Sequence, residues 1–289
     1  PSPSPSALCP FQHVGGSRRN VPSNPQWSCF LTGLPLPVPS SFDRSWIVSQ
    51  LGAREHYAIP RAFARSGALQ RLYTDFWSPN WIAPLLRACP DPIRSMGNRR
   101  HAEIEDARVV SFPGDAIRNR IRSTFSSAYG GDYGYYRYHL AVGRRFAQRV
   151  RDTLRTSGVP DEPLGFFGFS TGSLETLEWL ADQPCLTVVD QISPGRIEHE
   201  MVLEESERWP GWATTLPVIY PQFEERLQRE WELADRVVVN SEWSQNALQK
   251  QDVPASKICV VPLPYTPPFT DPPDPSPPVQ EAPLRVLWL

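Results

Sequence analysis

The segment that most constrains the fold lies near the C-terminal end, at residues 231–265, WELADRVVVNSEWSQNALQKQDVPASKICVVPLPY. Arg236 to Val239 is a short run rich in β-branched residues, which predicts a buried strand. Ser241 follows at the position of a helix N-cap. The helix after it has a predicted apolar face, formed by Trp243, Ala247 and Leu248. A strand that ends directly before a helix N-terminus is where an open α/β sheet presents polar groups to a ligand cleft.

Similar units of a short apolar strand and a following helix recur along the chain. The predicted strands lie at residues 46–49, 69–74, 109–112, 185–189 and 236–239, and another runs into Gly168. Strands of this kind that alternate with helices favour a parallel sheet covered on both faces. The predicted fold class is therefore α/β, a Rossmann-like open sheet that is mostly parallel.

Composition excludes several classes of function. The 289 residues carry a formal net charge of -2, which gives no electrostatic basis for binding nucleic acid. The five cysteines are scattered and lack any CxxC spacing, so we expect reduced thiols, a cytoplasmic location and no metal site. No apolar run has the length of a transmembrane helix.

Proline and serine mark the expected domain boundaries. Residues 1–43 are a Pro/Ser-rich stretch without hydrophobic periodicity, predicted to be a disordered tail. Residues 44–266 form the predicted Rossmann-like domain, and residues 267–283 form a stiff Pro-rich linker. Residues 284–289, LRVLWL, then predict the first strand of a further domain, so we expect the sequence to be a fragment.

Three of these segments together resemble a known family. ADRVVVNSEWSQNAL, VPASKICVVPLPY and the LRVLWL strand beyond a Pro-rich joint look like the inter-domain segment of retaining glycosyltransferases of family four. The resemblance covers residues 45–289 and implies the N-terminal, acceptor-side half of a two-domain GT-B fold. It implies transfer of a sugar, with retention, from a nucleotide-sugar co-substrate to a glycan, lipid-linked or small-molecule acceptor. No metal or other cofactor is implied, and the fragment alone is expected to be inactive.

The resemblance also suggests site residues at the carboxyl ends of the strands. Asp190 is the candidate for orienting the acceptor hydroxyl, although an Asp there can equally cap the next turn. The candidates for the donor phosphate or the cleft near it are Gly52, Arg54 and Ser241. Candidates for lining the acceptor cleft are Glu55, His56, Asp75, Ser170 and Thr171. A plain turn at Gly52 and a solvated cluster at residues 54–56 remain the alternatives.

A different function is suggested by Gly168-Phe169-Ser170-Thr171-Gly172, which matches the G-x-S-x-G elbow of serine hydrolases. A triad in the order of that fold needs a later His, and His199 is the only histidine after Ser170. A serine hydrolase and a non-catalytic sugar-binding module therefore stand as alternatives to the transferase.

A predicted helix over Tyr138 to Arg155 carries many arginines outside its apolar stripe. Such a face can adhere to an acidic membrane surface or can simply be solvated. Peripheral contact with the inner face of a membrane is therefore an alternative to a purely cytoplasmic location.

Overall fold

Seven parallel strands form one sheet in the computed structural model, which describes residues 44–90, 93–125, 134–158, 163–211 and 220–263. The strands are β1 Ser45–Gln50, β2 Leu69–Thr74, β3 Val109–Ser111, β4 Leu164–Phe169, β5 Cys185–Asp190, β6 Arg236–Val239 and β7 Ile258–Val260. Their order is β3-β2-β1-β4-β5-β6-β7. The predicted fold class is confirmed. The predicted tail at 1–43, the linker at 267–283 and the strand at 284–289 lie outside the described residues.

Helices connect the strands at almost every step. They are α1 Ala58–Arg65, α2 Ala83–Ala88, α3 Ile93–Met96, α4 Pro113–Phe125, α5 Gly134–Ser157, α6 Leu174–Leu180, α7 Arg196–Arg208, α8 Pro221–Leu233 and α9 Glu242–Gln249. The helix predicted from Tyr138 begins earlier, at Gly134, and α4 was not predicted.

The chain reverses direction across the sheet between β1 and β4, which makes this the topological switch point. Alternating side chains of β1 serve two cores. Trp46 and Val48 pack towards α1, where the Trp46 and Phe63 rings stack at 4.8 Å. Ile47 packs on the other face against α5 and α6. Because both faces are covered, the carboxyl edge of the sheet is where a ligand meets strand ends.

Around β6, the opening segment folds largely as its sequence predicts. The Ser241 hydroxyl accepts the Ser244 amide at 3.2 Å and so caps α9. Ala247 and Leu248 are buried against the sheet. Trp243 was predicted to belong to the same apolar face, and this is wrong, because its side chain is 48% exposed.

Two arginines of α5 bind side chains of the neighbouring helix α4. Arg145 donates to Asn119 at 3.0 Å, and Arg149 donates to Asp115 at 2.9 Å, so α4 supplies the acceptors. These contacts favour an ordinary structural role for that face over adhesion to a membrane. None of the helices in the described ranges is both long enough and apolar enough to cross a bilayer.

Candidate functional site

The loop after β1 has an unusual backbone. Gly52 has a φ of 81°, and Glu55, His56 and Tyr57 follow with φ values of 52°, 50° and 61°. Left-handed conformation costs a non-glycine residue about 1–2 kcal/mol. Burial of the Tyr57 ring and a hydrogen bond of 2.9 Å from Gln50 Nε2 to the Arg54 carbonyl hold the turn in place. Strain of this kind is characteristic of functional loops.

Asp75 anchors the start of this loop. Its Oδ1 accepts the Gly52 amide at 2.8 Å, and its Oδ2 accepts Arg99 Nη1 at 2.6 Å. These bonds bear on the predicted roles of both residues, which stay predictions. The Gly52 amide is not free for a donor phosphate, because a carboxylate of the protein already binds it, and Asp75 supports the loop with both of its oxygens.

Beyond this anchor, the loop brings Arg54 and Glu55 towards Asp190, at the end of β5. The Arg54 guanidinium lies over the Phe169 ring, 5.9 Å from its centroid. Burial, with the Glu55 charge next in size, raises the pKa of Asp190 to about 7, although Arg54 opposes the rise. Burial also lowers the pKa of Arg54, against the opposing charge of Asp190. A carboxyl group at this position can orient a hydroxyl by accepting its hydrogen bond.

His139 joins this cluster from α5 and was missed by the sequence analysis. Burial lowers the pKa of His139, and the nearby Arg54 charge lowers it further, so the imidazole is neutral. The Tyr135 ring lies against His139 with centroids 4.2 Å apart. The available signal was Gly143 within the helix, where a Cβ would lie 2.1 Å from the Thr171 carbonyl oxygen. That close approach brings the start of α5 over the sheet edge.

The loop after β4 is held by Glu230 of α8. The fully buried Glu230 carboxylate accepts the amides of Thr171 at 2.7 Å, Ser173 at 3.0 Å and Leu174 at 2.9 Å. Burial raises the pKa of Glu230 to about 7, although Arg226 and these amides oppose the rise. The start of α6, where a nucleotide phosphate often binds in such folds, is thus filled by the protein itself.

Arg226 completes this support from the same helix. Its Nε donates to the Thr171 carbonyl at 2.8 Å, and its two terminal nitrogens donate to Glu175 at 3.0 and 2.7 Å. Thr171 therefore has both its amide and its carbonyl bound by α8. Only the side chain of Thr171 is therefore left to line the acceptor cleft, as the sequence predicted for this residue.

The geometry does not support a hydrolase at Ser170. The residue is buried, and the left-handed position of the loop is Thr171, with a φ of 71°, rather than the serine. His199 has both ring nitrogens engaged elsewhere, Nε2 with the Tyr136 hydroxyl at 2.6 Å and Nδ1 with Glu224 at 3.1 Å. Ser170 instead contributes its amide, which donates to the Asp190 carbonyl at 2.9 Å.

The remaining predicted residues lie apart from the cluster. Ser241 follows β6, two strands from β4, and its hydroxyl is used to cap α9. His56 is exposed at the outside of the left-handed turn. Within the ranges that the structure describes, His, Cys, Asp and Glu side chains do not gather in a group of three or more that could hold a metal ion.

The cluster at the switch point thus consists of Arg54, Glu55, His139 and Asp190, with Tyr135 at its rim. No protein-family model matches the chain, and a search of curated proteins also gives no match.

Proposed function

We propose that this chain is the acceptor-side half of a retaining glycosyltransferase that uses a nucleotide-sugar donor. The observation that carries the proposal is the cluster of Arg54, His139 and Asp190 at the switch point of a parallel sheet. A carboxyl group with a pKa near neutrality and a neutral imidazole can accept and donate hydrogen bonds to the hydroxyls of a sugar or similar acceptor.

The filled anion sites support the assignment to the acceptor side. Asp75 occupies the Gly52 amide, and Glu230 occupies the amides at the start of α6. A phosphate would have to displace these carboxylates, whereas an uncharged acceptor would not. Donor diphosphate binding is therefore proposed to depend on a second domain, with Arg54 as the contribution of this half. The resemblance of residues 234–289 to family four agrees with this division.

The proposed location is the cytoplasm, with a glycan, lipid-linked or small-molecule acceptor. Transfer with retention would place the acceptor hydroxyl against Asp190, on the same face of the donor sugar as the departing diphosphate. Arg54 would then add positive charge near the leaving group, where negative charge develops.

The test is an assay of the full natural polypeptide with a panel of nucleotide-sugars and hydroxyl acceptors. We expect acceptor-dependent release of nucleotide, and we expect Asp190→Asn to lower the transfer rate about 100-fold because the carboxylate that orients the acceptor hydroxyl is lost. Asp182→Asn is the matched control, since this exposed Asp lies in the turn after α6, and it should leave transfer unchanged.

Two outcomes would contradict the proposal. One is that no nucleotide-sugar is consumed with any acceptor, while glycans still bind, which would indicate a binding module. The other is that Asp190→Asn and Asp182→Asn transfer sugar at equal rates, which would move the chemistry away from this cluster.

A further inference from the structure

A second group of polar side chains lies on the three helices α5, α7 and α8. The Tyr136 hydroxyl is 2.6 Å from His199 Nε2, and His199 Nδ1 is 3.1 Å from Glu224 Oε1. The group is enclosed by rings, because Tyr136 also contacts Phe223 edge to face at 5.1 Å. The sequence analysis named His199 only as the histidine that a hydrolase triad at Ser170 would need.

The hydrogen bonds fix the direction in which protons lie. A carboxylate only accepts, so Glu224 requires the proton of His199 on Nδ1. Nε2 is then the acceptor, and the Tyr136 hydroxyl donates to it. The arrangement is a hydroxyl, an imidazole and a carboxylate in series, as in a nucleophile activated by a base that a third group orients.

The position of the group places it above the carboxyl edge of the sheet. Gly143 contacts the Thr171 backbone at that edge, and Tyr136 lies seven residues earlier in α5, about 10 Å further out at 1.5 Å per residue. Glu224 lies six residues before Glu230, which binds the same loop, and is thus about 9 Å further out on α8. The same helix α5 carries His139, which lies close enough to Arg54 for the Arg54 charge to lower the pKa of its imidazole.

The Glu224 carboxylate differs from that of an ordinary structural contact, because one of its two oxygens is buried without a partner in the described chain. Glu224 is almost fully buried, and its Oε2 has no hydrogen-bond partner among the residues that the structure describes. A buried carboxylate oxygen without a partner costs stability, so a purely structural contact gains nothing from it. Burial, with the Glu224 charge next in size, raises the pKa of Tyr136, so its hydroxyl stays protonated unless a base such as the adjacent His199 imidazole takes the proton.

We propose that Tyr136, His199 and Glu224 form a proton relay that takes a proton from a hydroxyl group of a ligand in the cleft. Tyr136 touches the ligand, and His199 and Glu224 are positioning residues that act through it. That the ligand is the sugar acceptor rests on the function proposed above.

With a sugar acceptor, the relay would act while one bond forms at the anomeric carbon and another breaks. The acceptor oxygen bonds to the anomeric carbon while the bond from that carbon to the nucleotide diphosphate breaks. The acceptor proton passes to Tyr136 Oη, and the Tyr136 proton passes to His199 Nε2. The resulting imidazolium is stabilised by the Glu224 carboxylate until it returns the proton to solvent.

The experiment uses phenylsulfonyl fluoride, which labels activated tyrosines and needs no sugar substrate. The tyrosine oxygen bonds to sulfur, fluoride leaves, and the phenolic proton goes to His199. Tyr135 is the internal control, because it is 67% exposed, whereas Tyr136 is half-buried. We expect mass spectrometry of the whole chain to show Tyr136 labelled at least tenfold faster than its more accessible neighbour. His199→Gln and Glu224→Gln should each slow labelling of Tyr136 severalfold and leave Tyr135 unchanged.

If Tyr135 of the wild-type protein labels faster than Tyr136, in line with its greater exposure, the relay is refuted and no variant is needed. Equal labelling of Tyr136 in the wild type and in Glu224→Gln would also overturn it, provided that thermal melting shows the variant folded. In the full natural polypeptide, Tyr136→Phe should then lower kcat for sugar transfer at least tenfold. If Tyr136 labels rapidly but Tyr136→Phe transfers sugar normally, the relay stands and its assignment to the sugar acceptor falls.

Discussion

The loops after β1 and β4 flank the same switch point, yet they differ in how their backbones are held. The β4 loop has its Thr171, Ser173 and Leu174 amides bound by one buried carboxylate. The β1 loop contains three consecutive left-handed residues that are not glycine, and Gln50 Oε1 beneath it is buried without a partner in the described chain. We therefore call the loop after β4, held by Glu230, the braced loop, and the loop after β1, with its left-handed residues, the strained loop.

The two loops differ in the opposite sense from the one that their sequences indicate. The braced loop contains the G-x-S-x-G match, which as a sequence motif indicates catalysis more strongly than anything in the strained loop. The strained loop has only a single glycine to mark it, but it brings Arg54 and Glu55 to Asp190. Residues in strained conformations persist only where surrounding structure enforces them, and they concentrate at functional sites.

Removing the brace should have the largest effect. Glu230→Ala leaves three amides without their acceptor and removes one of the two carboxylates beside the buried Arg226, so we expect the free energy of unfolding to fall by about 3–5 kcal/mol. Urea denaturation measures the change. Glu232→Ala, two residues further along and exposed, is the control and should stay within about 0.5 kcal/mol of the wild type. A loss below about 1 kcal/mol for Glu230→Ala would mean that the loop holds itself.

Gly143→Ala tests the contact between α5 and the braced loop. The added Cβ would lie 2.1 Å from the Thr171 carbonyl oxygen, so α5 or the loop must move, and we expect a loss of about 2–3 kcal/mol in thermal or urea unfolding. Helix propensity alone predicts a gain of about 1 kcal/mol for this change. Gly114→Ala, in α4 with no atom within 4 Å, is the matched control and should be neutral or stabilising. Equal stability of both variants would refute the close approach.

Asp190→Asn tests the electrostatics at the rim of the strained loop. The folded protein holds the Asp190 proton more tightly than the unfolded chain, since the pKa rises from 3.8 to about 7. Stability contributed by this group therefore falls as pH rises through that window. The Asn variant cannot ionise, so relative to the wild type it should gain about 1–2 kcal/mol between pH 4 and pH 8, after allowance for partial solvent screening. Parallel stability curves for the two proteins across this range would show that Asp190 titrates normally.

The parallel sheet and its strands could be predicted because each strand is a short apolar run next to turn residues. Ser241 as a helix cap was equally local and was confirmed. Contacts that depend on distant residues could not be predicted in this way. Glu230 is one of many acidic residues on an amphipathic helix, and its three amide partners lie 56 to 59 positions earlier.

The difference between local patterns and distant contacts also explains which residues of the candidate site could be predicted. Asp190 and Arg54 were found because they stand at strand ends or in the loops that follow them, which a single pass along the sequence can locate. His139 was missed because its role depends on where α5 lies along its axis relative to the carboxyl edge of the sheet. The contact of Gly143 with Thr171 fixes that position, and a local sequence pattern does not encode such a contact.

His56→Gly has the smallest expected effect and measures the strain directly. The exposed His56 has a φ of 50°, a conformation that glycine adopts freely. Relief of about 1–2 kcal/mol of strain, less the backbone entropy that glycine loses on folding, should leave a net stabilisation of about 0.5–1 kcal/mol in thermal melts. The reverse change at the start of the loop, Gly52→Ala, should destabilise the protein by about 1 kcal/mol, because its φ is 81° and no atom lies within 4 Å of the added Cβ. Opposite signs for the two variants would establish backbone strain in this loop, whereas a loss of stability in both would mean that the His56 side chain holds the turn.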